Sequence, residues 1–330
     1  MTHTPSPALP RRTALFALGA SLLAPTTGRA QTPAWPARPL RLVVPFPPGG
    51  LIDQMARLLA PALGAELGQP IVIDNKPGAG GNLGAAEALR APADGYTLLM
   101  ASPPLTISPA IYPRLPYEPA RVWPVGLVGR VPNVLLVSPR SGITSVADLR
   151  ARAAAAPGRL NYASNGNGTS LHLSAELFKA STGSFIVHIP FRGAAAAVTA
   201  LIGGEVDMMF ENLPSVLGQI NGGAVRALAV TTAQRSKALP QVPTLVEAGL
   251  AGFDVSAWYG LAAVAGTPPP VLERLEQALQ RVVAQPDMRR AMEARGADVG
   301  WLGASAMASF MTTDAQRWKA VAERAKVQVE

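Results

Sequence analysis

The chain has 330 residues, of which 48% are hydrophobic, 15% charged and 5% aromatic, enough apolar material for two domains of ordinary size. Its formal charge of +8 comes with no Lys/Arg run and no aromatic–basic interleaving, which speaks against a nucleic-acid partner. There is no cysteine, so thiol nucleophiles and thiolate metal sites are excluded, and the 32 prolines and 31 glycines are spread along the chain as turn signals.

Residues 11–30, RRTALFALGASLLAPTTGRA, begin with the pair Arg11–Arg12, continue as an apolar stretch and end in small residues at Ala30. We expect residues 1–30 to be a cleaved bacterial export signal, of twin-arginine type, and the mature protein to be periplasmic. The apolar run is too short for a membrane anchor, which needs ~20 residues. Without Arg11, Arg12 and Arg29 the balance is 26 basic to 21 acidic residues, or +5, compatible with a weak pull on anions. His172 and His188, 16 residues apart, have no metal-ligand spacing, and no metal or cofactor is expected.

Strand patterns follow at 40–46, 71–74, 97–102, 133–138, 185–191, 206–211, 225–231 and 257–265. Most are continuous apolar runs, the pattern of strands covered on both faces, which predicts parallel sheets. Between them lie amphipathic helices at 51–66, 145–156 and 304–325. Leu51, Met55, Leu58, Leu59 and Ala62 form the first stripe, and Pro61 is expected to kink or loosen that helix. In the last helix Met307, Phe310, Met311, Trp318 and Val321 read as core. The proline-rich stretch 103–124 reads as a long surface segment, and 133–139 and 257–265 as strands linking two lobes. The whole predicts an α/β protein.

Four strand–glycine–helix junctions stand out. In PFPPGGLIDQMAR (45–57) an apolar strand meets three prolines and two glycines, and a helix starts at once with Asp53 in its first turn. First-turn N–H groups lack intrahelical partners, and the helix N-terminus carries about half a positive charge, so such a corner suits an anion. NKPGAGGNLGAAEAL (75–89) is a second; its glycine spacing fits neither a phosphate loop nor a dinucleotide fingerprint. YASNGNGTSLHLSAEL (162–177) is a third, with Thr169 placed to cap a helix carrying His172. IPFRGAAAAVTAL (189–201) is a fourth, with Arg192 and Gly193 before the helix. Ligands of open parallel sheets lie beyond the carboxyl ends of the strands, so junctions from two lobes can face each other across a cleft.

These blocks, with DGYTLL (94–99), VRALAVTTAQRSKALPQVPTLVEAGLAGF (225–253) and WYGLAAVAGTP (258–268), closely resemble the substrate-binding proteins of tripartite tricarboxylate transporters, the Bug family of periplasmic solute receptors. The resemblance implies a two-lobed, type II Venus-flytrap fold with a mostly parallel sheet in each lobe and two crossover strands. It divides the mature chain into a first lobe from 31–134, a second from 135–254, and a return to the first over 255–330. It implies a monomeric receptor that closes on a small organic carboxylate and hands it to membrane permease subunits. The contacts it implies are Phe46, Pro47, Gly49, Gly50, Ile52, Asp53, Gly80, Gly81 and Ser102 from the first lobe. From the second they are Asn165, Gly168, Thr169, His172, Arg192 and Asp207, the last of which also fits a purely structural turn.

The chain departs from the family pattern at Ile52, where a small or hydroxyl residue is frequent, at Ser108–Pro109 in place of Asn–Pro, and at Phe191 in place of tyrosine. Ile52 loses a hydroxyl contact and Phe191 a polar handle, and together the departures point to a less polar ligand or one with fewer carboxylates. Two alternatives stand beside the transport receptor. One is a sensing receptor. The other is a secreted α/β hydrolase with His172 beside Asp207 or Glu211, although no Gly-x-Ser-x-Gly elbow is present.

Overall fold

The computed structural model describes residues 1–4 and 35–329; residues 11–30, expected to be a cleaved twin-arginine signal, lie outside them. The chain opens with β1 (Leu40–Val44), α1 (Leu51–Leu67), β2 (Ile71–Asn75), α2 (Asn82–Leu89) and β3 (Thr97–Ala101). β1 pairs in parallel with β2 on one side and β3 on the other. α1 buries Leu51, Ile52, Met55, Ala56, Leu59 and Leu63, the stripe expected of a helix lying on a sheet. Pro61 sits on its exposed side and the helix runs on to Leu67, because the carbonyl that loses its partner there faces water.

The stretch after β3 is a surface segment only in its second half, where residues 112–124 are exposed or half-buried. Pro104–Ile111 form α3, with Leu105, Thr106, Ile107, Ser108 and Ile111 buried. Two prolines, Pro103 and Pro104, begin this helix where no N–H is required, so what reads as punctuation acts as a helix start. β4 (Val122–Val137) then runs for 16 residues, more than twice the stretch its apolar pattern suggested. Gly126, Gly129, Pro124 and Pro132 hid its first half, and the register shifts at Pro124/Gly126 and Leu127/Gly129 show how the ladder absorbs them.

The second lobe follows: α4 (Val146–Ala155), β5 (Asn161–Ser164), α5 (Ser170–Thr182), β6 (Val187–Pro190), α6 (Ala194–Gly203), β7 (Met208–Asn212), α7 (Leu213–Asn221) and β8 (Arg226–Val230). β5 lies in parallel between β6 and β7. The chain returns through β9 (Ser256–Val264), α8 (Pro269–Ala284), α9 (Pro286–Glu293), β10 (Asp298–Gly303) and α10 (Ala304–Ala325).

The architecture is a two-lobed α/β fold. Each lobe has a parallel triplet, β2-β1-β3 and β6-β5-β7, and the two triplets are joined through antiparallel β9 and β4. β4 pairs with β9 along Val122–Pro132 and with β7 and β8 along Asn133–Val137, so it passes from one lobe to the other. Each sheet is covered on both faces. One cluster joins Leu42, Met55, Leu59, Leu261 and Leu279 under α1 and α8, and another joins Leu99, Trp258 and Met307. In the second lobe Leu135, Tyr162, Phe178 and Phe210 pack under α5, and Leu136, Met209, Val198 and Val216 under α6 and α7. α10 bridges these bodies: Met307 packs in the first lobe, and Trp318, Val321 and Ala322 pack with Ile107 of α3 into the second-lobe cluster.

Candidate ligand-binding site

A cavity of about 50 Å³ lies between the lobes, lined by Phe46, Pro47, Gly50, Leu51, Ile52, Ser102, Pro103, Pro104, Asn165, Thr169, Ser170, Leu171, Gly193, Ala194, Asn212 and Ala257. Apart from Ala257 of β9, those residues lie at or just before the starts of five helices: α1, α3, α5, α6 and α7. Three of the four expected junctions therefore meet at one point, with two more added. The fourth junction, before α2, lines an outer chamber of about 570 Å³ that shares Phe46, Pro47, Asn165 and Gly193 with the inner one.

The cleft is shut at its mouth. The Tyr112 hydroxyl donates to the Asn167 carbonyl at 3.3 Å. Gly80 sits so close to Asn167 that a Cβ there would overlap its carbonyl oxygen, and a Cβ on Gly193 would lie 2.9 Å from the Pro47 ring.

Local chemistry explains why the helix starts point inward with bare donors. Gly50 of α1 and Gly193 of α6 supply no side-chain cap, so first-turn N–H groups of both helices stay free for a ligand. Thr169 does cap α5, its hydroxyl accepting from the His172 N–H at 3.3 Å. Among the described residues no lysine, arginine, aspartate or glutamate lines the inner cavity, and the positive ends of helix dipoles face it.

Seven of the expected contacts line the inner cavity: Phe46, Pro47, Gly50, Ile52, Ser102, Asn165 and Thr169. Gly80 and the exposed Arg192 line the outer chamber. The others lie outside both.

Asp53 is 2% exposed, and its carboxylate accepts from Gly49 N–H and Arg57 Nε at 2.9 Å and from Asn75 Nδ2 at 3.0 Å. Burial pushes its pKa up, but the bonds from Arg57, Gly49 and Asn75 together hold it below the ordinary value. It serves to fold the corner, with Gly49 at φ +93° and its N–H turned inward. Gly81, at φ +104°, lies under Phe46, where a Cβ would come within 3.2 Å of the ring. Gly168 packs against Ile111 and Tyr112 and donates its N–H to His172 Nδ1 at 3.3 Å.

His172 is stacked in a column with His188 and Tyr162, ring centroids 4.3 and 4.6 Å apart. Burial lowers its pKa to about 4, and burial with the neighbouring His172 lowers that of His188 to about 3. The Ser164 hydroxyl and His188 Nε2 are 2.7 Å apart. Asp207 lies at the far end of the strands from the cavity. There Asn161 N–H donates to Asp207 Oδ2 at 2.8 Å, and Asp207 N–H donates to Asn161 Oδ1 at 3.1 Å. It aligns β5 with β7 and touches neither the cavity nor His172. Glu211 faces the opposite side of the second sheet from the histidine column, because it shares its side of β7 with Met209 and not with Phe210. The acid–base pair conceivable from the sequence is thus not assembled.

Asn212 was not anticipated. The stretch Glu211-Asn212-Leu213-Pro214 is itself a strand–helix junction, with proline in the first turn, and is legible as such once the other four are noticed.

A family model described as tripartite tricarboxylate transporter family receptor matches residues 55–327. Protein BugT of Bordetella pertussis is 38% identical over 310 residues, covering 93% of this chain and 94% of its own length. The solved structure of R. palustris Rpa4515 with adipate has a TM-score of 0.87 at 36% identity, over 89% of this chain and 99% of that one. That of MatC (Rpa3494) from Rhodopseudomonas palustris with bound malate has a TM-score of 0.82 at 32% identity, over 87% and 99%. A match that spans most of the chain, on a fold with the same two lobes, places the protein plainly: it belongs to the tripartite tricarboxylate transporter receptor family.

Proposed function

We propose that the protein is a periplasmic receptor that captures a small organic carboxylate between its lobes and delivers it to the membrane subunits of a tripartite tricarboxylate-type transporter. The observation that carries this reading is the convergence of five helix N-termini on one cavity whose lining, among the described residues, includes no acidic side chain. One helix end contributes only ~0.3–1 kcal/mol with an exposed anion, while desolvating a carboxylate costs several kcal/mol. Donors gathered from both lobes offset that cost only when the cleft closes. The adipate and malate named with the solved relatives are acids of this class.

Ligand contacts are assigned to the backbone of Gly50–Ile52 and Ala194, to Ser102, Thr169, Ser170 and the two asparagines. Phe46, Pro47 and Pro104 serve as apolar walls. The inner cavity holds the acid head group and the outer chamber the remainder, with Arg192 at the exit. Ile52 in the inner wall and Phe191 in the outer one favour a ligand of low polarity. In the moving bodies, 31–134 with most of 255–330 forms one lobe and 135–254 the other, acting as a monomer whose role is binding rather than turnover.

A thermal-shift panel of mono-, di- and tricarboxylates tests this. Aliphatic or aromatic acids with one or two carboxylates are expected to raise Tm more than citrate does. Larger stabilisation by citrate overturns the low-polarity assignment, and stabilisation by neutral or cationic solutes but by no acid overturns the carboxylate reading.

A further inference from the structure

Glu211 lies at the end of β7, fully buried, directly behind the cavity wall. One carboxylate oxygen accepts from Asn165 Nδ2 at 2.8 Å and the other from the Asn212 backbone N–H at 2.8 Å. The Asn212 side chain is also within hydrogen-bonding reach of it. Asn165 and Asn212 both line the inner cavity. The amide oxygens of these two residues are buried and have no partner among the described residues. With Glu211 ionised, both asparagines therefore turn their donors toward it and leave acceptors over for the cavity. That is the wrong polarity for a bound anion.

Among the described residues no cation compensates the charge. α6 and α7, which cover this face of β7, carry no titratable side chain. β4 presents Val134 opposite Glu211, β8 presents Val230, and β5 presents Ala163 and Asn165. Tyr162 of β5, His188 of β6 and His172, Glu176 and Lys179 of α5 form a connected group around the stacked rings on the other face of the sheet. Arg192, in the loop before α6, is exposed.

We propose that Glu211 is a specificity-determining residue that takes up a proton when a carboxylate binds, converting the second-lobe wall from acceptor to donor. The proton comes from solvent and resides on the Glu211 carboxyl; no other bond is made or broken. The new O–H donates to the Asn165 amide oxygen, the amide turns over about its terminal torsion, and its N–H₂ faces the ligand. Two carboxylates that share one dry site do not both stay ionised, which supplies the driving force. Burial already pushes the Glu211 carboxyl up to about 7, against partial relief from Asn212 and Asn165, so the proton is available near neutrality.

This inference rests on the carboxylate reading, and the experiment separates the two. Adipate, malate, hexanoate and benzoate are screened by thermal shift, and the strongest binder is titrated calorimetrically between pH 6.5 and 9 in buffers of different ionisation enthalpy. Between these limits His172 and His188 stay neutral and do not contribute. Above pH 7.5 we expect uptake approaching one proton per ligand, with affinity falling by up to about tenfold per pH unit. Glu211→Gln is expected to bind with no proton uptake and a flat pH profile, since its amide pairs with either asparagine orientation. Tight binding without proton uptake by the native protein overturns the inference and leaves the carboxylate reading standing. Unchanged uptake in Glu211→Gln overturns it too. Failure of all four acids to bind at any pH overturns both. If the variant does not fold, the native proton count alone decides.

Discussion

Single residues here divide into those that touch the cavity and those that hold others in place. Asp53 and His172 look like ligand contacts in the sequence, yet both turn their polar atoms toward their own lobe. The histidine column gives this a measurable signature. His172 and His188 are held neutral when folded, with pKa values near 4 and 3, whereas in the unfolded chain each titrates at its ordinary value of 6.5. Their share of stability is therefore complete above pH 6.5 and is lost as pH falls toward 4, because the unfolded state takes up protons that the folded state refuses. Glu211 works in the opposite sense, since its raised pKa favours the folded state most below its ordinary 4.5 and progressively less as pH rises through about 7. In the Glu211→Gln variant, where that opposition is gone, Tm is expected to fall steadily from pH 6.5 to 4. A Tm that stays level there would refute the burial of the pair as neutral rings.

At the scale of elements, helices do more than their individual patterns suggest. α10 has an apolar stripe that reads as core, and it is core, but of two bodies at once: Met307 in the first lobe and Trp318 in the second. Its buried Asp314 ties it down further, accepting from the Thr106 hydroxyl at 2.6 Å and from Trp258 Nε1 at 2.9 Å. Trp318→Ala is expected to cost about 3–5 kcal/mol, the range for deleting a large buried aromatic. Because the helix spans both lobes, urea unfolding should stay a single transition with a lowered midpoint. A biphasic curve in the native protein would show that the bridge does not couple the lobes.

The whole molecule works as a cleft that closes around a small space. Closure depends on backbone meeting backbone at Gly80 and Asn167, where there is no room for a side chain. Gly80→Ala places a methyl group in that contact, at a residue with φ +63°, and the mismatch is relieved by opening the lobes. Affinity for the captured acid should drop at least about tenfold, equivalent to ~1.4 kcal/mol, and small-angle scattering with ligand should report a larger radius of gyration than for the native complex. Equal affinity and equal radius would mean that the mouth contact plays no part in closure.

The sequence alone determines that strands alternate with helices and that glycine corners at 45–53, 162–169 and 189–194 end strands and start helices, because both are local: apolar runs, caps and breakers act over a few residues. It also carries enough of the family pattern to imply two lobes. Only the tertiary structure decides which corners meet. It sends the α2 junction to the outer chamber, brings in α3 and α7, buries α3 despite its prolines, and pairs β10 with a β4 twice its apparent length. The same long-range packing sets Asp207 far from the cavity and Glu211 just behind it, although only four positions separate them. The face and the end of a strand from which a carboxylate points depend on pairings tens of residues away, and no local pattern records them.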